Sequence, residues 1–94
     1  MTLLELYQFL DRRYPRSLSC EWDNDGIMCC SDPDKSVKKV LLTLDVTGDA
    51  IDAAAWQGAD LIISHHPMLF RPMKGLCPCT PEGEKLLRLL QKGI

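Results

Sequence analysis

Val40-Leu41-Leu42-Thr43-Leu44-Asp45-Val46-Thr47 and, one helix-length later, Ala59-Asp60-Leu61-Ile62-Ile63-Ser64-His65-His66-Pro67 are the strings that set the architecture of this chain. Each contains an apolar run without the alternation of a half-exposed strand, the pattern of a strand buried on both faces of a parallel sheet. Between them, Asp49 to Gln57 carries Ile51, Ala54 and Ala55 as a narrow apolar stripe at helical spacing. Thr47 stands where a helix N-cap belongs and Gly58 where a left-handed C-cap belongs. Strand, helix and strand with short connections make a right-handed βαβ unit. The expected class is therefore α/β, a small, mainly parallel sheet flanked by helices.

Upstream, Thr2-Leu3-Leu4-Glu5 is a capping box, in which hydroxyl and carboxylate satisfy orphan amides reciprocally. Leu3, Leu6, Tyr7 and Leu10 then share one helical face, and Tyr14-Pro15 ends the helix. Trp22-Asp23-Asn24-Asp25-Gly26 is turn-rich and precedes Ile27 to Cys30, a short apolar segment read as a further strand. Asp32-Pro33-Asp34 makes the next turn. Downstream, a last helix runs from about Pro81 to Lys92, with Thr80 as N-cap, Pro81 in its first position and Gly93 as its stop. Ile94 stands where the alternation calls for a third parallel strand. The 94 residues are thus expected to form a single α/β domain that is part of a longer design.

Hydrophobic content of 46% and charged content of 26% are ordinary for a globular chain. A net charge of -2 and a pI near 5.6 argue against nucleic acid as a main partner, because phosphate contacts need a basic face. Arg12, Arg13 and Arg16 stand at the end of the first helix, where its dipole favours cations without any polyanion. No stretch approaches the ~18 to 20 apolar residues that span a bilayer, and the N-terminus is an amphipathic helix rather than a signal peptide. Cytoplasmic residence is the default expectation. Of the five cysteines, Cys29 and Cys30 end the apolar segment and Cys20 stands alone. Cys77-Pro78-Cys79 is a C-x-C pair, but structural zinc sites use C-x(2–4)-C pairs supplied twice and no second pair exists, so loop thiols without a role are the simpler reading.

The chemistry concentrates in His65 and His66, the only two histidines. Neutral imidazole is the commonest biological metal ligand, and parallel strands of one βαβ unit share the carboxyl edge at which open α/β sheets bind ligands. Asp45 ends one strand and the histidine pair ends the other. Successive strand residues point to opposite faces, so the two imidazoles suit two ions, one each, if those lie ~3.5 to 4 Å apart as in two-metal hydrolytic sites. The plainer alternative makes both histidines polar caps of a strand end, with Ser64 shaping the loop. Asp45 has two readings: a pocket residue, or an acceptor for amides at the following helix start. Trp22 and Trp56 are expected to pack, and Asn24 and Asp25 to form turns, with lining of the pocket as the alternative for these two.

Trp22-Asp23-Asn24-Asp25-Gly26, Leu42-Thr43-Leu44-Asp45-Val46-Thr47, Ser64-His65-His66-Pro67 and Phe70-Arg71-Pro72-Met73-Lys74 follow one another in the order and spacing of one family. The chain resembles the N-terminal portion of the GTP cyclohydrolase 1 type 2 homologues, the Nif-three-like (Ngg-interacting factor three) proteins. The resemblance implies an α/β fold, two divalent metal ions (zinc, manganese or iron) and assembly of the full-length protein as a homo-oligomer, a hexamer. It makes His65 and His66 metal ligands and places the remaining ligands, an Asp, a His and a Glu, outside this chain. It further implies a hydrolase-like role on a phosphate or nucleotide-like small molecule, with a non-enzymatic regulatory or protein-interaction module as the alternative. On two ligands alone the 94-residue chain is expected to bind metal weakly and to catalyse little.

Overall fold

Capping chemistry sets the helix boundaries throughout. The computed structural model describes residues 1–94. Helix α1 spans Leu3–Arg13 behind the expected box: Thr2 Oγ1 accepts from the Glu5 amide at 3.1 Å, and Glu5 accepts from the Thr2 amide at 2.7 Å. That amide contact holds the Glu5 carboxyl below its ordinary pKa. A short 3-10 turn, Arg16–Leu18, follows. Strand β1 is Val40–Thr43, helix α2 is Gly48–Gln57, strand β2 is Leu61–Ser64 and helix α3 is Pro81–Lys92. Thr47 and Thr80 cap α2 and α3, and Gly58 (φ 69°) and Gly93 (φ 68°) close them in the left-handed conformation.

β1 and β2 pair in parallel, with Val40 opposite Leu61 and Thr43 opposite Ser64. Together with α2 they form the expected βαβ unit, and the α/β class stands. The start of α1 is tied to the segment before β1: Thr2 bridges Ser36, and the Leu3 amide donates to Lys35 O at 3.0 Å. The Asp60 carboxylate receives the Lys38 and Lys39 amides at 2.8 and 2.9 Å, which anchors the start of β1 beside that of β2. Those two donors, helped by the charges of Lys35 and Lys38, hold the Asp60 carboxyl below its ordinary pKa.

The core sits where α2 and α3 cover the sheet. Val46, Ile51, Ala54, Ala59, Leu89 and Ile94 form one buried cluster, and Leu41 and Ile62 pack onto it from the strands. Ile51 is fully enclosed, a burial that stabilises by about 1.5–3 kcal/mol. Arg88 of α3 pairs with Asp52 of α2 and, at 3.6 Å, with Glu84 one turn back. Gly83 is buried in the first turn of α3, where an added Cβ would lie 2.0 Å from Cys77 O. No helix is long and apolar enough to cross a membrane.

Three sequence expectations are corrected. Ile27 to Cys30 is not a strand: no backbone hydrogen bond joins it to β1 or β2, and only Cys29 reaches the core. A run of four apolar residues cannot supply its own ladder, and the sheet has two strands. Trp22 and Trp56 do not pack into a core; they are 70% and 89% exposed. Cys77 and Cys79 are neither zinc ligands nor idle thiols but a disulfide, leaving Cys20, Cys29 and Cys30 free. Burial, then the neighbouring Cys30, pushes the Cys29 thiol above its ordinary pKa, which favours its protonated form.

Candidate metal-ligand edge

Because β1 and β2 run parallel, their carboxyl ends emerge side by side, and the ladder continues briefly beyond them. The His65 amide donates to Thr43 O at 3.0 Å and the His66 amide to Leu44 O at 2.9 Å. At the last paired position, each strand carries a hydroxyl that donates to the carbonyl two residues on: Thr43 Oγ1 to Asp45 O at 3.0 Å and Ser64 Oγ to His66 O at 2.8 Å. These bonds satisfy carbonyls that the ending ladder leaves free and hold both turns in shape. Asp45 and His66 are thereby brought face to face, with His66 Nδ1 2.9 Å from Asp45 Oδ1.

The two imidazoles are neighbours, their ring centroids 4.8 Å apart and their planes tilted by 57°. Strict strand alternation would have set them on opposite faces; β2 ends at Ser64 and the chain bends through 65 and 66, which brings the rings together. Their surroundings still differ. His65 lines a cavity of about 520 Å³ together with Leu6, Tyr7, Ile62, Met68 and Ile94, whereas His66 lies outside it and meets Asp45. Of the two readings for Asp45, the amide acceptor is not observed. Thr47 Oγ1 takes the Ala50 amide at the start of α2, and the Asp45 carboxylate turns to His66.

This donor set suits part of a metal's coordination shell. Two adjacent nitrogen donors stand at a sheet edge, one already oriented by a carboxylate. Nowhere do three His, Cys, Asp or Glu side chains converge as a complete site. His65 and His66 can hold part of a metal's coordination shell and no more.

The turn-rich segment before Ile27 contributes more than turns. Asn24 and Asp25 both line the cavity, and Asn24 Nδ2 donates to Leu69 O at 2.5 Å, locking this loop to the one that follows the histidines. Trp22 and Phe70, one on each loop, meet with ring centroids 6.4 Å apart. Asp25 pairs with Arg16 Nε at 3.1 Å and accepts from the Ser19 hydroxyl. Sequence reasoning assigned Arg16 to the helix dipole and missed this pairing; a nine-residue separation within a loop carries no periodic signal. The paired hydroxyls of Thr43 and Ser64 escaped notice for a different reason, since their symmetry exists only once the strand register is known.

Residues 1–94 match the family described as Duf34/NIF3 (NGG1p interacting factor 3). The chain is 38% identical over 87 residues, 93% of its length, to a Halalkalibacterium halodurans protein named "GTP cyclohydrolase 1 type 2 homolog", of which it covers 22%. It is 33% identical over 94 residues, its full length, to the rat protein named NIF3-like protein 1, of which it covers 25%. Among solved structures, the Staphylococcus aureus protein SA1388 superposes on the whole chain with a TM-score of 0.91 at 34% identity, and the chain covers 26% of it. The chain thus spans about a quarter of the length of these three proteins, and between 22% and 38% of the curated relatives it matches.

Proposed function

The chain belongs to the Duf34/NIF3 family, and from that premise we propose that it carries the first two ligands, His65 and His66, of a two-metal centre in a hydrolase-like protein. The observation that carries this reading is the adjacency of two exposed imidazoles, rings 4.8 Å apart, at the carboxyl edge of a parallel strand pair. That edge is where open α/β sheets place their ligands. The cofactors are divalent ions, zinc, manganese or iron, for which imidazole is a suitable donor. When bound, such ions supply Lewis-acid polarisation of a substrate oxygen and an activated water.

The contributions of this chain's own residues are positional. β1 and β2 present the ligands from a rigid edge, and the hydroxyls of Thr43 and Ser64 fix the turns that carry them. The cavity beside His65, with a largely apolar lining that also includes the polar Asn24 and Asp25, gives a small molecule a sheltered approach. We take the substrate to be a phosphate or nucleotide-like small molecule, a reading to which the name "GTP cyclohydrolase 1 type 2 homolog" of the Halalkalibacterium halodurans relative lends support. On this reading the remaining ligands and the homo-oligomeric assembly are those of a full-length family protein.

Zinc titration of the chain, followed by imidazole NMR signals, tests this reading. Two ligands predict millimolar binding that moves both His65 and His66 and disappears in the His65→Ala/His66→Ala double variant. Failure of zinc to perturb either ring would overturn it.

A second reading, a non-enzymatic interaction module, draws on the exposed apolar side chains Leu42 (73%), Leu44 (65%) and Trp56 (89%). It separates from the first because it requires no metal: partner capture unchanged in the double histidine variant would favour it.

A further inference from the structure

Asp45 is the one charged group bonded to either histidine, and its geometry says which histidine nitrogen is available. An ionised carboxylate only accepts hydrogen bonds, so the 2.9 Å contact requires a proton on His66 Nδ1. In the neutral ring, one nitrogen carries the proton and the other a free lone pair, and the bond made by the first decides which. We propose that Asp45 is a positioning residue: it holds His66 as the Nδ1–H tautomer and so presents Nε2 as the ligating atom. This rests on the metal reading above for its purpose, and on the contact itself for its existence.

Three observations support a built arrangement over an incidental ion pair. The Asp45 carbonyl accepts from Thr43 Oγ1 and the His66 carbonyl from Ser64 Oγ, so both backbones are fixed immediately beside the contact. The His66 amide donates to Leu44 O, which locks the two residues in register across the edge. Asp45 is also the residue whose alternative employment, receiving amides of α2, has passed to Thr47. His65 has no such carboxylate and lines the cavity. The two imidazoles therefore differ in tautomeric bias although they are adjacent in sequence.

A carboxylate that orients a metal-bound imidazole has a known scale: its loss weakens metal binding by roughly 10–100-fold. Long-range ¹H–¹⁵N spectra of the ¹⁵N-labelled 94-residue chain, at pH ~8.5 where imidazole is ordinarily neutral, report the proton on each ring nitrogen. The expected result is a His66 protonated at Nδ1 in the native chain and a shift of that proton toward Nε2 in Asp45→Ala. Asp45→Glu should recover part of the native pattern. An unchanged backbone amide spectrum serves as the check that each variant folds. A His66 protonated at Nε2 in the native chain, or unmoved by Asp45→Ala, overturns the proposal. Zinc added to the same samples keeps the two readings apart. Binding to His66 at least tenfold weaker in Asp45→Ala supports the positioning role. If zinc moves neither ring while the Nδ1–H tautomer is present, the metal reading fails and the tautomer assignment stands.

Discussion

The two sides of this small sheet are built from similar residues and reach different ends. Where α2 and α3 cover it, Ile51, Ala54, Leu89 and Ile94 close around Leu41 and Ile62 into a packed cluster. On the other face of β1 nothing comparable closes over the strand: Leu42, and Leu44 just past the strand end, remain 73% and 65% exposed. Strand alternation explains the division, because Leu41 and Leu42 must point to opposite faces. The lesson is that an apolar run makes a strand capable of burial on both faces, while the burial itself depends on what arrives to cover each face. The closed side supplies rigidity, and the histidine edge is mounted on it.

Substitution on the two sides should separate sharply. Ile51→Ala removes the fully enclosed side chain and should cost about 2–5 kcal/mol in equilibrium denaturation. Leu42→Ala on the open side should stay within about 0.5 kcal/mol. Comparable losses at both sites would mean that the open side is covered in solution.

Gly83→Ala comes next. Alanine is the better helix former by about 1 kcal/mol, but its Cβ would sit 2.0 Å from the Cys77 carbonyl. Overpacking should win, with a net loss of about 1–3 kcal/mol by the same denaturation measurement. A gain in stability would show that the loop before α3 yields easily.

A smaller and pH-dependent effect attaches to Asp60, which ties the beginnings of the two strands. Its carboxyl is held low in the folded chain by the Lys38 and Lys39 amides and, less, by nearby lysine charge. Its contribution is therefore complete above the ordinary aspartate range and is lost as pH falls through the lowered folded value. Thermal melts of Asp60→Asn should lie below the native chain at neutral pH and converge with it in acid. A gap that persists in acid would exclude this linkage.

The least change is expected at Cys77 and Cys79. Their disulfide closes so short a loop that reduction should hardly move the melting temperature. Thiol counting on the unfolded chain should find three free cysteines without reductant and five after reduction.

Local chemistry was legible in advance wherever one residue type has one use. The capping box at Thr2, the caps at Thr47 and Thr80 and the left-handed glycines at 58 and 93 all stand where sequence placed them, because those bonds span only a few residues. The βαβ unit and its carboxyl edge follow from periodicity and handedness. The segment 27–30 was misread because a strand needs a partner, and its apolar residues do not say whether one exists. Trp22 and Trp56 were misread because size and hydrophobicity favour burial without guaranteeing a place for it.

His65, His66 and Asp45 could be assigned to one edge from spacing alone, since parallel strands leave no other place for them. Their relationship could not. The bend after Ser64 that brings the rings within 4.8 Å, and the pairing of His66 rather than His65 with Asp45, depend on the register of β1 against β2 and on hydroxyl contacts formed across it. Bonds between residues 21 positions apart have no footprint in a local pattern; they exist only after the backbone has brought both ends to the same place.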